Sequence, residues 1–202
     1  MEVIRSLSEF DKLSYKTGVS LGSFDGIHKG HLTLLNALIE DCREKNLKSV
    51  VYTFSNHPRE IIGSKNSPKL IINKKQKLDL FKKIGIDFLV IVDFDDYQKN
   101  ISAKDFVEEI LLKKLNMQAV TVGFDCRFGK KAEGDVELLK EFSKEYGFDL
   151  SVVPPVMIED EIISSTAIRH LLSEGIIEKS NSFLGRNYSI SGMVIKGKQM
   201  GS

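Results

Sequence analysis

The sequence predicts an α/β protein built on a doubly wound, mostly parallel β-sheet. Short apolar runs alternate with amphipathic segments along most of the 202 residues, a pattern typical of strands joined by crossover helices. The run "DFLVIVDF" (87–94) is almost wholly apolar, as expected for a strand covered by helices on both faces. A chain of this length has room for one domain with a sizeable core and a small appendage.

The predicted elements follow one another in regular order. Strands are predicted at 17–24, 49–54, 87–94, 118–124 and 149–156. Helices are predicted at 30–44, 73–85, 101–115, 134–146 and 166–173. After Gly175 the composition shifts to serine, asparagine and glycine, and "YSISGMVI" alternates with period two. We therefore divide the chain into a main domain over 1–178 and a linker with the first strand of another unit over 179–202.

Composition and charge exclude several classes of protein. The net charge is +1, with 29 basic and 28 acidic side chains, so we expect no nucleic-acid stripe and no polybasic membrane patch. No apolar stretch approaches the roughly 18 residues of a membrane span, and the N-terminus lacks an apolar targeting segment, so we expect a cytoplasmic protein. Cys42 and Cys126 are interpreted as free thiols, and Lys74, Lys75 and Lys77 as the solvated face of a helix.

The stretch "GSFDGIHKGH" (22–31) lies where the first of these strands leads into a helix. Ligands of such sheets bind at the carboxyl ends of the strands, and a helix start favours an anion such as phosphate. His28 and His31 can donate hydrogen bonds to phosphate oxygens without adding permanent charge. The ordinary alternative is a turn with one surface histidine and one helix-capping histidine.

A second stretch, "ISSTAIRHLL" (163–172), predicts another corner for an anion. Hydroxyls and backbone donors gather at a helix start, and Arg169 follows one turn later. The alternative is that one serine caps the helix while Arg169 is solvated; His170 is interpreted as a surface residue. Two such corners together indicate a site that grips a triphosphate and neutralises charge on departing pyrophosphate.

Four ordered motifs then carry a family resemblance. They are "GSFDGIHKGH", "TFSNHP" (53–58), "GFDCRFGKKAEGD" (123–135) and "ISSTAIR". From about Thr17 to Arg186 the chain resembles the adenylyltransferase module of prokaryotic bifunctional riboflavin kinase/FMN adenylyltransferase, or FAD synthetase. The resemblance implies the Rossmann-like fold of HxGH nucleotidyltransferases, with a short C-terminal linker and strand.

The resemblance also implies which residues bind and react. For ATP they are Gly22, Phe24, Asp25, His28, His31, Ser164, Ser165, Thr166 and Arg169, with His28, His31 and Arg169 catalytic. For FMN they are Phe54, His57, Pro58, Phe124, Asp125, Arg127 and Phe128. The phenylalanines could equally pack in the core, and His57 could be an ordinary loop histidine. We expect no protein metal site, with Mg²⁺ held mainly by the ATP phosphates.

The chain departs from the family pattern at several positions. Asn56 stands where a proline is usual, Cys126 where an aromatic is common, and Ala167 where arginine is frequent. The first two changes predict a reshaped flavin pocket. The tail resembles the start of the riboflavin kinase barrel but lacks its Pro-Thr-Ala-Asn motif. Two interpretations stay open: a protein with the adenylyltransferase function alone, or a shortened chain with a missing C-terminal kinase domain.

The sequence therefore predicts an ATP:FMN adenylyltransferase that makes FAD and pyrophosphate by direct in-line transfer, without kinase activity. Two alternatives stay open. A nucleotidyltransferase for another acceptor would share both phosphate corners, and a catalytically retired module would bind flavin or nucleotide without turnover.

Overall fold

The computed structural model describes residues 1–10, 15–56 and 68–193. Its strands are β1 Glu2–Ile4, β2 Thr17–Leu21, β3 Lys48–Phe54, β4 Phe88–Val92, β5 Met117–Gly123, β6 Asp149–Val153, β7 Met157–Ile158 and β8 Glu161–Ile162. Its helices are α1 Leu7–Phe10, α2 Lys29–Glu44, α3 Lys74–Ile84, α4 Asp96–Asn100, α5 Ala103–Asp105 with its π-helical continuation Phe106–Lys114, α6 Val136–Tyr146, α7 Ser165–Ser173 and α8 Ile177–Leu184.

Six strands form one sheet in the order β1-β4-β3-β2-β5-β6, and all neighbouring pairs in it are parallel. The strand order reverses at β2, with β3 on one side and β5 on the other. In open parallel sheets a crevice opens at the carboxyl ends where the order reverses. The predicted doubly wound fold is therefore confirmed, and its crevice lies at the ends of β2 and β5.

Apolar clusters cover both faces of the sheet. Adjacent residues Val50 and Val51 are both fully buried but belong to different clusters, because successive side chains of a strand point to opposite faces. Helices α1, α5 and α6 supply one cluster, and α2, α3, α7 and α8 supply the other. This double covering explains why the strands are apolar along both faces.

Several elements go beyond the sequence prediction. The three-residue strand β1 pairs with β4 at the sheet edge, in register from Glu2 with Phe88. A short antiparallel hairpin, β7 with β8, precedes α7. Ser102 caps α5 by accepting a hydrogen bond from the backbone N–H of Asp105 at 3.0 Å. The greater part of that predicted helix, however, has π-helical rather than α-helical turns.

The C-terminal region differs from the predicted division of the chain. Helix α8 runs across the proposed boundary at 178, and its Phe183 and Leu184 are buried in the main core. We therefore propose that the main domain extends through Arg186. Residues 187–193 form no strand, because no strand in the described part of the chain pairs with them; the rest of the predicted strand lies outside the described residues.

Candidate active site

His28 sits at the start of α2 and joins two parts of the site. Its extended backbone makes it the N-cap, and its Nδ1 accepts a hydrogen bond from the backbone N–H of His31 at 3.3 Å. Since Nδ1 accepts, the proton of a neutral His28 ring lies on Nε2. The His28 and His31 rings stack with centroids 3.7 Å apart. His28 therefore caps the helix, as one alternative held, and also presents an N–H donor.

Gly30, between the two histidines, makes this stacking fit. A Cβ at this position would lie 3.2 Å from the His28 ring and 3.5 Å from the carbonyl oxygen of Ile163. A larger residue here would require the His28 ring to shift by a few tenths of an ångström. The glycine of the motif is thus explained by close approach.

Both imidazoles are neutral at neutral pH. Burial, together with the nearby Arg186, lowers the pKa of His28 to about 4, while Asp25 opposes the shift. Burial, with His28 and Lys77 as neighbours, holds the pKa of His31 well below its ordinary value. The Nδ1 atom of His31 is buried and meets no hydrogen-bond partner among the described residues, which is unusual for a buried polar atom.

A polar cavity of about 450 Å³ opens beside these rings, at the crevice where the strand order reverses. Its wall combines the start of α2, the ends of β5 and β6, and the start of α7. Of the predicted site residues it contains His28, His31, Phe124, Asp125, Arg127, Ser164, Ser165, Thr166 and Arg169. Both predicted phosphate corners thus face one space.

Arg169 is held at the cavity by a buried carboxylate. Its Nη2 lies 2.7 Å from Oδ2 of Asp25, and its Nε donates to the carbonyl oxygen of Lys69 at 2.9 Å. Asp25 is 4% exposed and also accepts from the backbone N–H of Ile71 at 3.0 Å. Asp25 therefore fixes the arginine that lines the cavity.

The hydroxyls at the start of α7 have internal partners. Ser164 caps the helix by accepting from the backbone N–H of Ala167 at 3.1 Å. Ser165 donates to the carbonyl oxygen of Asp25 at 2.8 Å. Ser165 thus ties α7 to the loop before α2, while Thr166 remains exposed on the cavity wall.

Three residues predicted to bind ATP do not line the polar cavity. Phe24 is 1% exposed and packs against Phe81 and His31, because the loop turns its ring into the core. Asp25 lies beneath Arg169, as described above. Gly22 is on the wall of a second cavity.

That second, apolar cavity has a volume of about 690 Å³. It lies between the ends of β2 and β3, helix α4, and the segment 127–132. Its wall is largely aromatic and aliphatic and includes Leu21, Tyr52, Phe54, Phe94, Ile101, Phe106 and Phe128.

The structure divides the predicted FMN residues between the two cavities. Phe54 and Phe128 line the apolar cavity, and Phe124 and Asp125 line the polar one. His57 and Pro58 lie outside the described residues. Arg127, paired with Asp135 at 3.0 Å, lines both cavities, as does Ser23. The two cavities therefore meet at Ser23 and Arg127.

Lys77 corrects the interpretation of its lysine cluster. Lys74 and Lys75 are exposed, but the Lys77 ammonium donates to the carbonyl oxygens of Ser23 and Phe54, at 2.7 and 3.0 Å, and to Thr53 Oγ1. Burial lowers the pKa of Lys77 to about 8. Lys77 is one helical turn before buried Phe81, so its inward direction could have been found from helix periodicity.

Arg186 is a second residue to which the sequence prediction gave no role. Its guanidinium donates to the carbonyl oxygen of Ile27 at 2.8 Å and to that of Gly26. The end of the main domain therefore supports the loop that carries His28. Arg186 is 159 residues from Ile27 in the chain, and sequence periodicity contains no signal for such a contact.

Comparison with known proteins identifies the family. A sequence profile of FAD synthetase matches residues 11–167. The chain belongs to the FAD synthetase family. The match covers the loop before α2, the segment between the two cavities and the first residues of α7, while Arg169 and Arg186 lie beyond its end.

Several relatives have the name bifunctional riboflavin kinase/FMN adenylyltransferase. The one from Buchnera aphidicola is 36% identical over 100% of this chain and 65% of its own length. That from Escherichia coli is 33% identical, over 100% and 64%, and that from Bacillus subtilis 32% identical, over 92% and 58%. The chain thus spans less than two thirds of these relatives.

Solved structures share the fold. A macrolide-efflux protein from Streptococcus pneumoniae is 28% identical with a TM-score of 0.79, over 92% of this chain and 60% of that one. A pantoate-beta-alanine ligase from Francisella tularensis is 16% identical with a TM-score of 0.54, over 91% and 86%. The second similarity shows the fold alone.

The donor set at the polar cavity fits a phosphate-bound cation better than a protein-held one. Within residues 1–10, 15–56 and 68–193, no group of three or more His, Cys, Asp or Glu could hold a metal ion. Asp125 places a carboxylate on the cavity wall. Mg²⁺ commonly keeps several waters and binds one or two carboxylates together with substrate phosphates. In the same described ranges, no helix is long and apolar enough to cross a membrane.

For this member of the FAD synthetase family we expect stability to fall on acidification. The pKa of His28 is about 4 in the folded state against 6.5 for the ordinary group, so between these values the unfolded state binds more protons. Stability contributed by neutral His28 is therefore complete above pH 6.5 and is lost as the pH falls through 4. Between pH 7 and 4.5 this amounts to about 2 kcal/mol.

Urea unfolding at both pH values measures this effect. The matched variant is His28→Asn, which keeps a capping acceptor but does not titrate in this range. Between pH 7 and 4.5, the free energy of unfolding of the wild-type protein should fall by about 2 kcal/mol more than that of the variant. Equal losses would show that His28 is not the titrating group.

Proposed function

We propose that this chain transfers the adenylyl group of ATP to FMN, giving FAD and pyrophosphate. The observation that carries the proposal is the adjoining pair of cavities, one polar with two neutral histidines and one apolar and aromatic, which meet at Ser23 and Arg127. The family match and the names of the relatives support this choice of reaction. ATP and FMN are soluble metabolites, and we place the reaction in the cytoplasm.

We assign the nucleotide to the polar cavity. The start of α2 supplies backbone N–H groups and a positive dipole end for phosphate, and His28 offers its Nε2 proton beside them. Arg169, one turn into α7, reaches the same space with its direction fixed by Asp25. These groups can bind the β- and γ-phosphates and stabilise the negative charge that grows on pyrophosphate.

We assign the flavin ring to the apolar cavity. Phe54 and Phe94 meet edge to face with their ring centroids 5.0 Å apart, and Phe128 lines the same cavity. Flat aromatic walls of this kind fit a heteroaromatic ring system. A flavin ring in this cavity can direct its ribityl phosphate toward Ser23 and Arg127, where the apolar cavity meets the polar cavity assigned to the nucleotide.

The reaction follows from this placement. A phosphate oxygen of FMN forms a bond to the α-phosphorus of ATP, while the bond from that phosphorus to the bridging oxygen of the β-phosphate breaks. Pyrophosphate leaves with the electron pair. No protein nucleophile is needed, because the FMN phosphate is ionised at neutral pH and such transfers depend on positioning and charge stabilisation.

Each protein group then has one task. Arg127 orients the attacking phosphate, His28 and His31 donate to the phosphates as their charge shifts, and Arg169 binds the leaving group. Neutral imidazoles suit this role, since they add hydrogen bonds without holding the product by a fixed charge. Mg²⁺, carried by the ATP phosphates with Asp125 nearby, would supply further charge neutralisation.

A chromatographic assay with several acceptors tests the proposal. The protein is mixed with ATP, Mg²⁺ and one of FMN, riboflavin, phosphopantetheine or nicotinamide mononucleotide. We expect an adenylylated product from FMN and none from the other three compounds. Product from another acceptor, or binding of ATP and FMN without FAD, would overturn the proposal.

A further inference from the structure

A polar side chain stands out on the wall of the apolar cavity. Gln98, in helix α4, is 8% exposed and lines this cavity beside Tyr52, Phe54 and Phe94. Placing an amide in apolar surroundings costs free energy unless its groups are hydrogen-bonded. The position of Gln98 therefore calls for partners.

One half of the Gln98 amide is satisfied within the protein. The Tyr52 hydroxyl, on β3, donates to Gln98 Oε1 at 3.0 Å. The backbone N–H of Gln98 donates to the Asp95 carboxylate, which caps α4. Tyr52 thus holds the Oε1 atom of the side chain, and the helix cap holds the backbone at Gln98.

The other half of the amide has no such partner. Nε2 carries two N–H groups, and none of the hydrogen bonds in the described part of the chain uses them. Gln98 lines the apolar cavity, and with Oε1 engaged by Tyr52 the Nε2 donors are left for a ligand there. A fixed donor on an apolar wall selects for a ligand with an acceptor at that place.

The flavin ring has two chemically different ends. One carries two methyl groups on a benzene ring, and the other is a pyrimidine-dione with two carbonyl oxygens. An apolar wall alone would favour the methyl end, because a carbonyl buried there without a donor costs free energy. A donor on that wall reverses the preference.

We propose that Gln98 determines the orientation and specificity of flavin binding, by donating from Nε2 to a carbonyl oxygen of the pyrimidine-dione edge. The inference rests on the proposed function, since it assigns the flavin to the apolar cavity. Tyr52 acts as a positioning residue through Oε1 of Gln98. The pair distinguishes a flavin from a purely hydrocarbon ring of the same size.

Two substitutions remove the donor in different ways. Gln98→Met keeps the length of the side chain and removes both polar groups. Gln98→Glu keeps an oxygen to accept from Tyr52 but replaces the donor with an acceptor. Tyr97→Phe is the matched control, because Tyr97 is the neighbouring residue, is 57% exposed and does not line the cavity.

Binding of FMN is measured by quenching of its fluorescence, and the carbonyl stretching bands of bound FMN by infrared difference spectroscopy. We expect Kd for FMN to rise about tenfold in both Gln98 variants, the loss typical of one hydrogen bond. The KM for ATP should stay unchanged. The carbonyl band should move to higher wavenumber in both variants and stay in place in the control, which a merely structural role would not produce.

The outcomes separate this inference from the function on which it rests. If wild-type protein binds FMN and makes FAD, but Gln98→Met binds FMN equally tightly with the same carbonyl band, the role of Gln98 is overturned and the function stands. If wild-type protein binds no FMN, both are overturned. The unfolding temperature of each variant is compared with that of the wild-type protein, to identify a substitution that only disturbs the fold. If Gln98→Met unfolds at a lower temperature, the FMN affinity and carbonyl band of Gln98→Glu decide whether Gln98 has the proposed role.

Discussion

Replacing His31 with alanine is expected to lower kcat for FAD formation by about 10²- to 10³-fold, the loss typical of one preorganised donor to developing charge. His31 lines the polar cavity, and its Nδ1 meets no partner among the described residues. Because its pKa is held well below the ordinary value, the ring is neutral and can donate one hydrogen bond to phosphate without holding the product by charge.

Stability should change far less than turnover. His31 is in the first turn of α2, and the helix cap is made by His28 through the backbone N–H of residue 31, which alanine retains. The matched control is His170→Ala, since His170 is an exposed histidine on α7 that does not line the cavity. Steady-state kinetics and urea unfolding of both variants give the comparison; wild-type kcat in His31→Ala would remove His31 from the reaction.

The second large effect is expected at Asp25. Asp25→Ala should lower the free energy of unfolding by about 3–5 kcal/mol, because it leaves the Arg169 guanidinium without its buried carboxylate. It also removes the acceptor of the Ile71 backbone N–H. Arg169 then loses its fixed direction at the polar cavity, so KM for ATP should rise together with the loss of stability.

A double-mutant cycle separates these causes. Asp25→Ala, Arg169→Ala and the double variant are compared by urea unfolding, and the double variant should lose clearly less than the sum of the two single changes. Asp149→Asn is the control, because Asp149 pairs with Lys45 at 3.0 Å on the surface, and exposed pairs contribute at most about 1 kcal/mol. Additive losses at Asp25 and Arg169 would show that the two do not act as a pair.

Much of the fold could be predicted from the sequence because buried positions carry apolar residues in a pattern that differs between helices and strands. Val50 and Val51 belong to a strand covered on both faces, and α2 buries Leu34, Leu35 and Leu38 along one stripe. Strand β1 escaped prediction because three residues are too few to show a period. The same holds for the hairpin of β7 and β8.

Within the site, residues marked by their sequence neighbours could be predicted, whereas contacts between residues far apart in the chain could not. His28 and His31 were found because glycines and a helix start surround them in the sequence. Asp25 was expected to meet ATP, yet its partner Arg169 is 144 residues away, and no local pattern records that pairing. Gln98 was missed for the same reason, since its significance comes from a cavity built by β3 and α4.

The division of the predicted FMN residues between two cavities could not be predicted from the sequence either. The stretch "GFDCRFG" (123–129) was assigned to flavin as a whole, but the end of β5 falls between the two spaces. Phe124 and Asp125 therefore face the histidines, and Phe128 faces the aromatic wall. Successive residues of a loop can point in different directions, and their sequence spacing has no fixed period.

A rapid-quench experiment with ATP labelled at the α-phosphate tests the central claim most directly, namely direct transfer from one cavity to the other. With FMN present, a single turnover should move the label into FAD and release an equal amount of pyrophosphate, and without FMN no pyrophosphate should appear. Pyrophosphate released without FMN, label bound covalently to the protein, or no labelled FAD when both substrates are bound would contradict the account.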